Sequence, residues 1–165
     1  MLEWWSAVLE PRVEPLLNDA VDLLINARWT VPVQPFDTLL DDHAVAVRAG
    51  RIVGVLPQAE ARTRFTAART VELPQHMLLP GLVNAHTHAA MTLFRGYGED
   101  RELFDWLHNY IWPAEAQLTE DDVYFGSLLA MLEMIHSGTV FFNDMYWFQR
   151  ATLRAAEELG LRAEL

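Results

Sequence analysis

Cysteine is absent from the 165 residues, and so is lysine. Without thiols there are no disulfides and no thiolate metal sites, so any metal must be held by histidine and carboxylate. Without lysine the chain supplies no amine nucleophile, Schiff base or bridging carboxylated lysine. Long apolar runs are missing too, since none approaches the roughly 20 residues that span a bilayer. The first residues include Glu3, Trp4, Trp5, Pro11 and Pro15, not the basic stretch and apolar core of a secretory signal. A soluble, cytoplasmic protein is the expectation. Basic residues are scarce: 12 arginines face 23 acids, for a net charge of -11. A surface that negative repels phosphate backbones and anionic headgroups, which argues against nucleic acid and membrane as partners.

What is present is core material, with 52% apolar and 11% aromatic residues. Residues 1–20 read as a loosely attached extension, because Pro11 and Pro15 interrupt any helix there. From Val21 the text turns to short β-rich runs at Val21–Ile25, Trp29–Val33, His43–Val47 and Arg51–Leu56. The Arg48-Ala49-Gly50 junction offers a glycine for a tight hairpin. A polar stretch at Glu60–Ala68 and a strand at Thr70–Leu73 complete a small antiparallel sheet over 21–76.

The run Met77–Ala85 is almost wholly apolar, which suits a strand buried on both faces of a parallel sheet. Thr119 with Asp122 three residues on opens a helix to Ser137, closed by Gly138. Tyr124, Leu128, Met131, Leu132 and Ile135 fall at helical spacing and are expected on its buried face. Thr139–Phe142 reads as the next strand, Gln149–Leu159 as a helix stopped by Gly160, and Leu161–Leu165 as the start of a third strand. This is the βαβ alternation of an α/β fold.

His86 and His88 stand at i and i+2 at the end of the first buried strand, so an extended backbone points both imidazoles the same way, toward one metal. The ends of strands are also where α/β barrels keep their active sites. An arbitrary His-x-His is more often a solvated or hydrogen-bonded pair; the surrounding run decides the reading here. His43, His76, His108 and His136 lack a partner at ligand spacing and read as structural or surface residues.

Pro80-Gly81-Leu82-Val83-Asn84-Ala85-His86-Thr87-His88 resembles the signature of the amidohydrolase superfamily, whose barrels begin with a metal-binding His-x-His. Ala89–Gly96, Phe104–Leu107, Ile111–Glu115 and Asn143–Tyr146 narrow the resemblance to the 5-methylthioadenosine/S-adenosylhomocysteine deaminases, from about Val21 onward. The resemblance implies the N-terminal part of a (β/α)8 TIM barrel over 77–165, preceded by a small antiparallel β-sandwich domain over 21–76. A closed barrel takes about 250 residues, so the barrel is expected to be incomplete in this chain.

The same resemblance implies one zinc ion, held by His86 and His88 with a histidine and an aspartate from later strands. It implies hydrolytic deamination of the adenine ring of a small-molecule nucleoside, giving the inosyl analogue and ammonia in the complete protein. The acid and base groups are expected beyond Leu165, none of them in this chain. Glu115 is implied as the carboxylate that accepts the ribose hydroxyls, and Trp106 as part of the nucleoside pocket. By its sequence alone Glu115 is equally a solvated acid, and Trp106 equally a packing aromatic. Asn143 and Asp144 follow the second barrel strand and are as compatible with loop capping as with ligand contact. Guanine and s-triazine aminohydrolases resemble the same His-x-His, and a non-catalytic fragment is the reading from another class. Open strand edges are adhesive, which makes a homo-oligomer a further expectation.

Overall fold

The computed structural model describes residues 19–165, so the extension expected over 1–20 falls outside it except for Asp19 and Ala20, which already belong to the first strand. The chain divides into two compact units at Pro80/Gly81.

In the first unit, β1 (Asp19–Thr30), β2 (Leu40–Arg48), β3 (Arg51–Pro57) and β4 (Phe65–Leu78) form a sheet in the order β3-β2-β1-β4. Ala49 and Gly50 both take positive φ, giving a two-residue turn that matches strand twist and pairs Arg48 with Arg51. The expected strands at Val21–Ile25 and Trp29–Val33 are one continuous strand with its continuation beyond Thr30 lost. The reason is pairing: β1 is central, held by β2 on one side and β4 on the other.

The sheet is mixed, not antiparallel, because β1 and β4 run parallel. Parallel pairing needs a crossover, and α1 (Gln58–Arg64), which overlaps the polar stretch at Glu60–Ala68, forms its last part. Ala61 of α1 packs with Val21, Leu24, Ala44, Ala46, Leu56 and Phe65 to form this unit's core. β4 starts earlier and ends later than the strand expected at Thr70–Leu73, pairing Met77 and Leu78 with Trp29 and Thr30.

In the second unit, β5 (Leu82–Thr87), β6 (Thr139–Asp144) and β7 (Arg162–Glu164) form a parallel sheet in that order. The apolar run from Met77 is therefore two strand ends joined through Pro80-Gly81. A Cβ on Gly81 would run into the side chain of Val140, a stiff β-branched residue on the neighbouring strand, so this position requires glycine. β5 is an edge strand, and Leu82 and Val83 are 50% and 62% exposed instead of buried on both faces; full burial falls to Phe142 on the central strand.

A 3-10 helix, Ala89–Phe94, follows β5 directly. Next come α2 (Leu103–Trp106), a π-helical turn at Leu107–Ile111, and α3 (Trp112–Glu115) with Pro113 in its first turn. α4 (Glu120–His136) opens on the expected capping box: Thr119 N–H donates to Asp122 Oδ2 at 2.8 Å and Asp122 N–H to Thr119 Oγ1 at 3.3 Å. α5 (Gln149–Leu159) ends on Gly160 at φ 71°, as expected of a left-handed cap.

The buried face of α4 is the expected one at Met131, and in part at Tyr124 and Leu128, but not at Leu132 and Ile135. Val123, Gly126, Ser127, Ala130, Met131 and Met134 face inward, Tyr124 and Leu128 are half-buried, and Leu132 and Ile135 are 46% and 45% exposed. Apolar residues surround this helix, so spacing alone does not choose a side; small residues do, because they let neighbours approach. At Gly126 an added Cβ would lie 2.7 Å from the Ala90 carbonyl oxygen, which measures how closely the 3-10 helix rests on α4.

Between α4 and α5 the fully buried hydroxyls of Ser127 and Thr152 bond each other at 3.1 Å. Thr152→Val is expected to lower stability by about 1–3 kcal/mol, since it strands the Ser127 hydroxyl. The double change Ser127→Ala/Thr152→Val is expected to cost less than Thr152→Val alone. Urea unfolding of the three variants checks this.

Candidate metal and substrate site

β5 ends on the His-x-His pair, and the extended backbone brings the His86 and His88 rings to 5.0 Å, edge to face at 76°. Two imidazoles bound to one ion through nitrogens at ~2.0–2.1 Å have ring centres roughly 5 Å apart, so the pair fits a shared divalent metal. His88 Nδ1 lies 2.6 Å from the Met145 carbonyl oxygen. A carbonyl accepts only, so Nδ1 carries the proton and Nε2 keeps a free lone pair for a metal, an arrangement common to ligating histidines. Neutral nitrogen donors and the lack of cysteine suit zinc. Among the described residues no group of three or more His, Asp and Glu side chains converges on one point, so the pair is two ligands and no more.

The four residues Asn143–Tyr146 at the end of β6 hold this pair from the neighbouring strand. Asn143 Nδ2 donates to the Ala85 carbonyl at 3.2 Å, and Asp144 Oδ1 accepts the Ala89 N–H at 2.9 Å. The Met145 N–H donates to the Thr87 carbonyl at 3.3 Å while its own carbonyl takes His88. Asn143 and Asp144 thus turn out to clasp backbone on both sides of the histidines. Asp144 is buried, and that burial pushes its carboxyl above the ordinary range, with the Ala89 N–H and the two histidines pulling the other way.

Tyr146 links the histidines to Glu115. Its ring lies 6.0 Å from that of His88, and its hydroxyl donates to Glu115 Oε1 at 2.8 Å. Burial first, then the hydrogen bond to Glu115 and its charge, drive the phenol far above its ordinary pKa, so it is a hydroxyl donor at neutral pH. The structure therefore brings His88 and Glu115 to one tyrosine, with His86 beside His88. No spacing rule in the sequence pointed to Tyr146, 31 residues from its carboxylate partner.

Trp106 stands in a different cluster. Its indole N–H donates to the Tyr97 carbonyl at 2.9 Å, and it packs beside Gly98 with Tyr110, which receives Arg101 on its face at 4.2 Å. With Met91, Arg95 and Tyr97 it lines an open cavity of ≈ 500 Å³. A second cavity of ≈ 440 Å³ takes in Thr87 and His88 and shares Met91 and Arg95 with the first. Of the other histidines, His43 bonds the Asp41 carbonyl at 2.7 Å and His108 stacks edge-on against Trp112 at 4.3 Å, both structural contacts.

The chain is similar to known proteins over most of its length. Residues 77–165 match the model of the amidohydrolase family. The chain is 42% identical over 145 residues to a 5-methylthioadenosine/S-adenosylhomocysteine deaminase of Saccharophagus degradans, covering 87% of this chain and 32% of that protein. It is 50% identical over 129 residues to a 5'-deoxyadenosine deaminase of Methanosarcina mazei, covering 76% and 30%. Among solved structures it resembles a zinc-bound adenosine deaminase of Xanthomonas campestris, with TM-score 0.86, 47% identity, and 88% and 34% coverage. The chain thus spans about a third of the length of the relatives it matches. No helix among the described residues is long and apolar enough to cross a membrane. The chain belongs to the amidohydrolase family.

Proposed function

We propose that the protein carries out hydrolytic deamination of the adenine ring of an adenosyl nucleoside, 5-methylthioadenosine, S-adenosylhomocysteine or adenosine, releasing ammonia and the inosyl analogue. The observation that carries this reading is the His86–His88 pair at 5.0 Å, with His88 Nδ1 committed to the Met145 carbonyl. His86 and His88 are two ligands of a zinc ion, which when bound supplies water activated at neutral pH. The remaining ligands and the proton-transfer groups lie outside the residues described here. The names of the relatives support the adenine ring, and the zinc in the Xanthomonas campestris structure supports the metal.

Each residue has its own task. His88, held by Met145, keeps its free nitrogen aimed at the metal, and Asp144 fixes the backbone that follows it. Glu115, an acceptor-only carboxylate, takes the hydroxyls of the ribose diol. Trp106 walls the nucleoside pocket with its ring, its N–H being already satisfied. β5–α4, β6–α5 and β7 are the opening strands and helices of a (β/α)8 barrel, and the first unit's sheet is part of a composite β domain.

The test uses the whole protein as its gene encodes it, with zinc supplied. Ammonia release and the adenine-to-hypoxanthine absorbance change with 5'-methylthioadenosine are the expected result. Ammonia from guanine or an s-triazine but from no adenosyl nucleoside would overturn the choice of ring. Stoichiometric zinc with no ammonia from any of the three would overturn the activity.

A further inference from the structure

We infer that Tyr146 is a positioning residue that sets the Glu115 carboxylate relative to the histidine pair and so makes the site selective for an intact ribose diol; this rests on the reading of Glu115 given above. A glutamate side chain has three rotatable bonds, and alone at the end of the short helix α3 it would sample many positions. Tyr146 removes that freedom. Its ring is half-buried against Ala90 of the 3-10 helix, Val123 of α4 and Ala151 of α5, three elements that also carry the unit's packing. Its hydroxyl engages one Glu115 oxygen at 2.8 Å, which among the described residues leaves Oε2 without a protein partner and narrows the directions the planar carboxylate can take.

The same residue follows Met145, whose carbonyl orients His88. One peptide thus fixes the two ends of the site, imidazole and carboxylate, against a common origin. A ligand bridging them, with a flat heterocycle at the histidines and vicinal hydroxyls at Glu115, meets a span that is set before it arrives. Preorganisation of this kind favours the ligand of matching length by sparing it the cost of ordering the carboxylate.

The experiment compares Tyr146→Phe, Glu115→Ala and the double variant in the whole zinc-loaded protein. Substrates are 5'-methylthioadenosine and an analogue lacking both ribose hydroxyls, with thermal melting of each variant alongside. Tyr146→Phe keeps the ring and its packing and removes only the donor. The expected result is a KM for the ribonucleoside raised about tenfold or more, as for one hydrogen bond to a charged group, with kcat affected much less. The analogue's KM is expected to stay unchanged, and Tyr146→Phe to add nothing to Glu115→Ala. An unchanged ribonucleoside KM in Tyr146→Phe overturns the inference while leaving Glu115 in place. Equal loss on both substrates assigns Tyr146 a structural role and overturns it too. A Glu115→Ala protein with unaltered ribonucleoside KM overturns the ribose reading itself, and the inference with it.

Discussion

Alanine at His88 is expected to empty the metal site and abolish turnover. Two contacts vanish together, the Nε2 donor and the Nδ1 bond that holds the ring against Met145. Loss of an outer partner of a ligating histidine costs about 10–100-fold in metal affinity, so loss of the ligand itself is expected to exceed 100-fold. With the described chain offering two donors, a single remaining imidazole is far from the three protein ligands of catalytic zinc. His86→Ala is expected to behave alike, while His136→Ala, at the exposed end of α4, is expected to bind metal as the parent does. Zinc content after dialysis, measured beside ammonia release, separates these outcomes. Parental zinc and turnover in the His88→Ala protein would remove the basis of the metal assignment.

Glu115→Ala is expected to raise the KM for adenosyl ribonucleosides on the order of 100-fold. A carboxylate that accepts two hydroxyls makes two charge-assisted bonds, and each 1.4 kcal/mol is tenfold in affinity. The change also leaves the half-buried Tyr146 hydroxyl without its acceptor, which adds to the loss. Glu115→Gln keeps the shape and one acceptor, so an intermediate KM is expected. Steady-state kinetics with a ribonucleoside and its dideoxy counterpart check the prediction; a loss common to both sugars would detach Glu115 from the diol.

Local rules made part of this molecule legible and hid the rest. The period of two in an extended strand put His86 and His88 on one side, and the Thr119–Asp122 box and Gly160 marked helix ends, because each depends on neighbours within a few residues. The twelve-residue β1 read as two strands because Asn26 and Arg28 look like an interruption. Asn26 is in fact buried, donating to Glu72 at 2.7 Å, a partner 46 residues away. Only part of the inward face of α4 was legible, because apolar residues lie on every side and the close approach of Ala90 to Gly126 carries no sequence signal. The contacts of Asn143, Asp144 and Met145 join residues 55 to 58 apart, a distance at which spacing carries no signal. Trp106 reads in sequence equally as a packing aromatic, and only the resemblance gives it a pocket role; in the fold its indole N–H is spent on the Tyr97 carbonyl.

The grip of the β6 end on the His-x-His end has a further consequence. It couples proofreading of the sheet to assembly of the site. A slip of one residue between β5 and β6 displaces the second strand by about 3.3 Å and turns each of its side chains to the opposite face. Asn143 then loses the Ala85 carbonyl, Asp144 the Ala89 N–H and His88 its Met145 carbonyl in a single step. A misaligned sheet therefore keeps both histidines at the end of β5 but strips His88 of the carbonyl that orients it, so strand alignment and ligand orientation are set together.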